Sequence, residues 1–157
     1  MSHDVPWERV DGQPLSVFDA ADELSGQGSG KLALLYARVF GAPFMEYQGL
    51  VLLSGTLELD DGATARLEGE LTDGRWDRSE IEQRFNFYEL GMLIGDVHGL
   101  DECDYMSLAH MVARIWRARL HAEFSGKRFV VDVVVPGEKD GHELGIVFYQ
   151  YAGGGHS

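Results

Sequence analysis

The chain has little cysteine, no signal-like leader sequence and no long apolar run, and each shortage restricts its expected location. Cys103 is the only cysteine among 157 residues, so no internal disulfide can form and an oxidising compartment is not implied. Residues 1–10 are polar and lack the basic and apolar regions of a secretory signal. No stretch approaches the roughly 20 apolar residues that a membrane-spanning helix needs. We therefore expect a cytoplasmic protein with no membrane partner.

Basic residues are also scarce. The chain has 13 Lys and Arg against 26 Asp and Glu, which gives a formal net charge of −13 at pH 7. A field of that sign repels nucleic acid backbones and anionic lipid surfaces, so we expect no nucleic acid partner. The charge has two interpretations. It either serves solubility alone, or it forms an acidic face that docks on a basic protein.

Catalytic signatures are few, and residues 95–99 come nearest to one. Their sequence, Gly-Asp-Val-His-Gly, resembles the first metal-binding block of the calcineurin-like metallophosphoesterases. The resemblance implies that Asp96 and His98 bind metal ions that activate water. The second Asp block, the Asn-His block and the downstream histidines of that family have no counterpart here. We therefore predict that residues 95–99 form a turn leading into a helix.

The glycine-rich residues 26–31 are similar to a phosphate-binding loop, but the spacing departs from it. The loop requires Gly-x-x-x-x-Gly-Lys-Ser/Thr, whereas Ser25 replaces the first glycine and Leu32 replaces the hydroxyl that holds magnesium. No triad pattern of nucleophile, base and acid is present either. We therefore expect no catalytic residue, no cofactor and no metal ion, and the sequence favours a protein that is not an enzyme.

Length predicts one domain spanning residues 1–157. Residues 1–30 contain two prolines and a glycine-serine loop, which predicts a partly irregular N-terminal segment. Residues 152–157 predict a flexible, glycine-rich tail. Residues 31–40 carry apolar side chains at helical spacing, and Gly41 with Pro43 predicts the end of this shorter helix.

Residues 47–71 predict a β-hairpin. Residues 47–59 are rich in strand-forming types, and residues 63–71 alternate between apolar and polar side chains. A three-residue loop at 60–62, with Gly62 left-handed in a bulge, keeps the apolar side chains of both strands on one face.

Residues 81–90 fit two structures. As a strand, they place Ile81, Phe85 and Phe87 on one face. As a helix, they begin with a capping box formed by Ser79 and Glu82. The aromatic content favours the strand, and the helix stays open as the alternative.

Residues 101–124 predict the long helix, with Asp101 as its N-cap and arginines near its C-terminal end. Its expected buried stripe consists of Leu108, Met111, Val112, Ile115 and Trp116. Residues 129–135 and 144–151 predict a second hairpin. Together these elements predict an α+β fold, in which an antiparallel sheet of about five strands carries the long helix and the shorter helix on one face.

Two surfaces are candidates for binding. On the long helix His110, Arg114 and Arg117 form a basic stripe, which predicts an anion or small-ligand site between sheet and helix. The second hairpin is apolar on both faces, so something must cover the face that does not meet the core. The side chains on that face predict a protein interface, and they are Val130, Val134, Val147, Tyr149 and Tyr151.

Two functional hypotheses follow. The first is a non-enzymatic acidic module that binds a basic protein partner, itself (as a homodimer) or both. The order of elements loosely resembles that of the acidic chaperones of bacterial type III secretion and of small immunity proteins, although the C-terminal helix of the chaperones is missing. The alternative is a protein or enzyme that binds a small molecule or anion in a pocket between the sheet and the long helix.

Overall fold

The N-terminal region is described only in part by the computed structural model. Two short antiparallel strands, β1 (Arg9–Val10) and β2 (Gln13–Pro14), lie within the segment expected to be irregular. The other described residues are 36–58, 60–94, 100–137 and 143–151. The glycine-serine loop, the first half of the helix predicted over 31–40, the turn predicted at 95–99 and the tail from 152 lie outside them.

Helices and strands are interspersed along the described chain, mostly in consecutive pairs. In order they are α1 (36–40), β3 (Phe44–Tyr47), β4 (Leu50–Leu53), a short 3₁₀ turn (Thr56–Glu58), α2 (Ala63–Asp73), α3 (Arg78–Phe85), β5 (Phe87–Glu89), α4 (Leu90–Ile94), α5 (Glu102–Glu123), β6 (Phe129–Val134) and β7 (Gly145–Gln150). No helix within these stretches is long and apolar enough to cross a bilayer.

The α+β fold and the long helix are confirmed, but the single sheet of about five strands is wrong. Strands β3 and β4 form their own two-stranded sheet, and β5, β7 and β6 form a three-stranded sheet in that spatial order. All of these pairs are antiparallel. These two sheets hold five strands between them, so the prediction failed in joining the strands into one sheet.

Residues 63–71 belong to helix α2 rather than to a strand. The apolar residues Ala63, Leu67 and Leu71 recur every four residues, so they suit one face of a helix as well as one face of a strand, and Ala63 and Leu67 are buried. Alanine, leucine, glutamate and arginine also favour helix over strand. Gly62 is the N-cap of α2 with a φ of −98°, so it is not a left-handed bulge.

The hairpin of this region lies earlier in the chain than expected. Its turn is Gln48-Gly49, and both residues have positive φ, which suits the twist of a two-residue hairpin. Strand β4 is buried on both faces. Leu50 and Leu52 meet α2 and α3, whereas Val51 and Leu53 enter the main core.

Residues 78–89 contain both of the structures that the sequence allowed. Helix α3 ends at Phe85 and strand β5 begins at Phe87. The capping box is formed by Asp77 and Glu80, two residues before the expected pair, because Asp77 is a strong N-cap and Glu80 stands three residues after it.

Helix α5 and the second hairpin match the expected positions. The Asp101 side chain accepts a hydrogen bond from the Asp104 backbone N–H at 2.9 Å, as an N-cap does. The buried stripe is rotated, however. Val112 and Trp116 are buried, whereas Leu108, Met111 and Ile115 are only half-buried, and the stripe is completed by the smaller Ala109 and Ala113 together with Ser107 and Leu120.

The main core lies between α5 and the inner face of the three-stranded sheet. Strand register sets Val131 opposite Phe148 and Val133 opposite Ile146, so these side chains share the face that meets Trp116 and Leu120. Both strands of the hairpin therefore have one face in the core.

Two buried polar side chains of α3 join the two sheets. The Glu82 carboxylate accepts hydrogen bonds from the backbone N–H of Val51 in β4 at 2.7 Å and of Gln150 in β7 at 2.5 Å. Asn86 donates from its amide to the Val51 carbonyl oxygen at 2.8 Å. The pair thus gives Val51 the acceptor and donor that a neighbouring strand would otherwise supply.

Candidate functional site

A cavity of about 630 Å³ opens beside the main core, where the end of β4 meets α1, α4 and the middle of α5. Its inner wall is formed by Trp116, Leu53 and Tyr88. A second wall is formed by Val39 of α1 and by Ala42, which follows that helix. The walls are almost entirely apolar. A volume of this size lies in the range that proteins use to bind small organic ligands.

Trp116 fixes the shape of the inner wall. Its indole N–H donates to the Val39 carbonyl oxygen at 3.2 Å. One turn further along α5, Arg119 donates to the Ala42 carbonyl oxygen at 2.7 Å. These bonds tie α1 and its following loop to α5. The Trp116 ring also makes edge-to-face contacts with three aromatic rings, those of Phe44, Tyr88 and Phe148.

Two of the described residues that line the cavity, Thr56 and Tyr88, carry buried hydroxyls. Thr56 Oγ1 and Tyr88 Oη lie 2.5 Å apart, and the two residues are only 6% and 8% exposed. Burial raises the pKa of Tyr88 to about 12, although the hydrogen bond with Thr56 acts in the opposite direction. Tyr88 therefore keeps its proton at neutral pH and is able to donate a hydrogen bond.

The mouth of the cavity carries apolar side chains that are open to solvent. Met92 of α4 is 69% exposed and Tyr36 of α1 is 36% exposed. The exposed Arg38 and Ser54 also stand at this edge. Among the residues that the structure describes, no carboxylate lies within ion-pairing distance of Arg38. The mouth thus combines apolar surface with one cation.

Thr56 also borders a second, smaller cavity of about 320 Å³, between α2 and α3. Its charged side chains are largely paired with one another. Arg84 forms an ion pair with Glu70 at 3.1 Å, and Arg66 forms one with Asp60 at 3.0 Å. This cavity is polar and holds no unpaired cation among its described lining residues.

The basic stripe predicted on α5 is only partly brought together. His110 and Arg117 line a cavity of about 340 Å³ beside β6, whereas Arg114 is exposed and does not line it. Arg117 donates to the backbone carbonyl oxygen of Val131, and the β6 residues 131–133 form the other side of this cavity. Only two of the three predicted residues line one cavity, so an anion site there stays a prediction.

The residues predicted as an interface share one face of the second hairpin. Val130 lies opposite Tyr149, and the alternation along the strands puts Val134 and Val147 on the same outer side. All four are half-buried, and Tyr151 just beyond β7 is 58% exposed. Whether a partner binds this face stays a prediction.

Within the described stretches, no group of three or more His, Cys, Asp or Glu side chains is arranged to hold a metal ion. His98 of the metallophosphoesterase-like block lies outside those stretches. Asp101, close to it in sequence, is already engaged as the N-cap of α5.

Sequence reasoning missed Thr56 and Tyr88. They stand 32 residues apart in different elements, and neither belongs to a motif, so only the folded chain brings them together. The one signal in the sequence was Trp116 on the long helix, which was correctly placed in the core and forms the inner wall of the cavity.

Comparison with known proteins identifies no relative. The chain matches no protein-family model, and no curated protein or solved structure is significantly similar to it. Its function must therefore be argued from its own geometry.

Proposed function

We propose that the protein binds a small, largely apolar molecule in the cavity beside Trp116. The observation that supports this is a pair of buried hydroxyls, from Thr56 and Tyr88, at the inner side of an otherwise apolar cavity of about 630 Å³. Ligand sites typically combine apolar walls with a few polar groups that fix the orientation of the ligand.

The mouth supports the same proposal. Met92 is the most exposed of the large apolar side chains that the structure describes, and it stands at the edge of this cavity. Exposed apolar surface beside a concave apolar wall is typical of a site that takes up an apolar molecule. Catalysis is not part of the proposal, because the described lining residues include no nucleophile paired with a base.

The test is a titration with phenylnaphthylamine, an uncharged dye whose fluorescence rises in apolar surroundings. We expect saturable binding of one dye per chain. In S54W the large side chain at the mouth obstructs entry, so we expect binding at least about tenfold weaker. The matched control is S125W, which places the same side chain on an exposed position beyond α5.

Two results contradict the proposal. One is a wild-type protein that does not bind the dye saturably. The other is an S54W variant that binds it as tightly as S125W, since binding would then lie elsewhere on the surface.

A second candidate function is binding of a basic protein on the outer face of the second hairpin. The apolar side chains of this face belong to Val130, Val147 and Tyr149. Two acidic residues lie on the same side, namely Asp132, which pairs with Val147, and Glu89 of β5. An apolar surface with carboxylates beside it complements a basic partner, and the net charge of −13 favours such a partner over a second acidic copy.

Light scattering and pull-down from the native host separate the outcomes for this face. We expect a monomer at all salt concentrations and capture of a basic protein that the variant V147D/Y149D does not capture. A dimer that persists in high salt contradicts the basic-partner proposal, because the face would then be covered by a second copy through an apolar contact.

A further inference from the structure

The hydrogen bond between the two hydroxyls of the cavity leaves one hydroxyl proton without an acceptor in the pair. Thr56 and Tyr88 each contribute one O–H donor, and their mutual hydrogen bond at 2.5 Å uses one of the two protons. Whichever residue donates in that bond, the hydroxyl proton of the other needs a different acceptor. No further hydrogen bond of either hydroxyl is found among the described residues.

That proton is buried with its hydroxyls. Both residues are more than nine-tenths buried, and both line the cavity. A buried donor without an acceptor is unfavourable, so such groups are nearly always paired with protein, water or ligand. The pKa of Tyr88, raised to about 12 by burial, shows why ionisation does not remove the mismatch at neutral pH.

We propose that the ligand carries a neutral acceptor oxygen, such as that of a ketone, ester or ether, which accepts the hydroxyl proton left over by Thr56 and Tyr88. This inference rests on the proposed function, because it names the chemistry of the ligand for the same cavity. Apart from Arg38 and Ser54 at the mouth, the other described lining residues are apolar, so the ligand is an apolar molecule with its oxygen at the inner end.

The oxygen is neutral because the inner side of the cavity holds no positive charge. Among the lining residues that the structure describes, Arg38 is the only cation, and it is an exposed residue at the mouth. A carboxylate placed against Thr56 and Tyr88 would lose its hydration without gaining a counter-ion, which is costly. The net charge of −13 adds a general repulsion of anions.

The test compares acetylnaphthalene with ethylnaphthalene, two probes of the same shape that differ in the carbonyl oxygen. Each competes with phenylnaphthylamine for the wild-type protein and for the double variant T56V/Y88F. The double variant removes both partners together and keeps their shapes, a change that is nearly neutral for stability when no buried donor is left behind. Its thermal unfolding is measured first as a check on folding.

We expect the wild-type protein to prefer the ketone by about fivefold, the worth of one typical hydrogen bond. In T56V/Y88F the ketone oxygen finds no donor, so we expect the preference for the ketone to be lost and ethylnaphthalene to bind at least as tightly. Naphthoate, the charged counterpart, is expected to bind more weakly than acetylnaphthalene.

The failures are distinguishable. If neither probe displaces the dye and the dye itself does not bind, the proposed function is overturned, and the inference falls with it. If both probes bind the wild-type protein equally, the inference alone is overturned. A preference for the ketone that persists in T56V/Y88F also overturns the inference. Tighter binding of naphthoate than of acetylnaphthalene does so too. In both cases the oxygen would be recognised by another group, such as Arg38.

Discussion

Replacing Glu82 by glutamine tests how the two sheets are held together. Glu82 is fully buried, and both of its carboxylate oxygens accept hydrogen bonds from N–H groups. One oxygen accepts from the Val51 backbone at 2.7 Å and from the Gln150 side-chain amide at 2.6 Å. The other accepts from the Gln150 backbone N–H at 2.5 Å.

Glutamine has the same shape as glutamate but only one acceptor oxygen. In its better orientation the oxygen keeps the two bonds from Val51 and from the Gln150 side chain, and the amide NH₂ then faces the Gln150 backbone N–H. The Gln150 backbone N–H and the new amide NH₂ are then donors without an acceptor, and each such unpaired group costs about 1–3 kcal/mol. The two bonds that remain also lose the assistance of the charge. We therefore expect E82Q to lower the free energy of unfolding by about 3 kcal/mol.

The assay is urea unfolding followed by far-ultraviolet circular dichroism, with the slope checked for equality between variants. The matched control is E58Q, because Glu58 is an exposed glutamate in the 3₁₀ turn. Surface substitutions of this kind change stability by no more than about 0.5 kcal/mol. An E82Q variant as stable as E58Q refutes the reasoning, since the carboxylate would then not be accepting from both strands.

Packing, ionisation and helix capping give three further predictions. We expect G145A to destabilise the protein by about 1–3 kcal/mol, because a Cβ there would lie 2.6 Å from the Phe87 ring. G69A has open space around it in α2 and should stabilise the protein by up to about 1 kcal/mol. Equal thermal midpoints for the two variants would contradict this packing. The pKa of Tyr88 in the folded state lies above its ordinary value of 10.0, so its contribution is fully present below about pH 10 and is lost as pH rises towards 12. At about 1.4 kcal/mol for each pH unit this loss totals about 3 kcal/mol, and Y88F should lack it in unfolding experiments across that range. We expect D101A to lower stability by about 1 kcal/mol through loss of the N-cap, and an unchanged urea midpoint would show that the cap is dispensable.

Where the sequence pattern had one structural solution, it predicted the fold correctly. Asp101 is followed by acidic residues and by apolar residues that recur at helical spacing, and this pattern allowed only a helix. The strands of the second hairpin were bounded by turn residues. Residues 63–71 allowed two solutions, because apolar residues four apart satisfy both a strand and a helix. Local propensity favoured the helix there, and the strand alternation was given too much weight.

The candidate site was beyond reach of the sequence for a different reason. Thr56 and Tyr88 meet because β4 ends in the turn at Gly55, whose φ is +92°, and because β5 pairs with β7 rather than with β4. Neither feature is encoded near either hydroxyl. The basic stripe on α5 was visible in the sequence, but the strand edge that engages Arg117 through Val131 was not.

The most direct test of ligand binding in this cavity is to follow the indole N–H signals of the tryptophans by NMR while acetylnaphthalene is added. Trp116 donates its indole N–H to Val39 in the cavity wall, whereas Trp76 lies under Arg84 and does not line the cavity. The chain has three tryptophans, and the variants W76F and W7F together assign their signals. We predict a saturable shift of the Trp116 signal with the Trp76 signal unchanged. A Trp116 signal that does not move, or one that moves only in step with Trp76, would contradict the account.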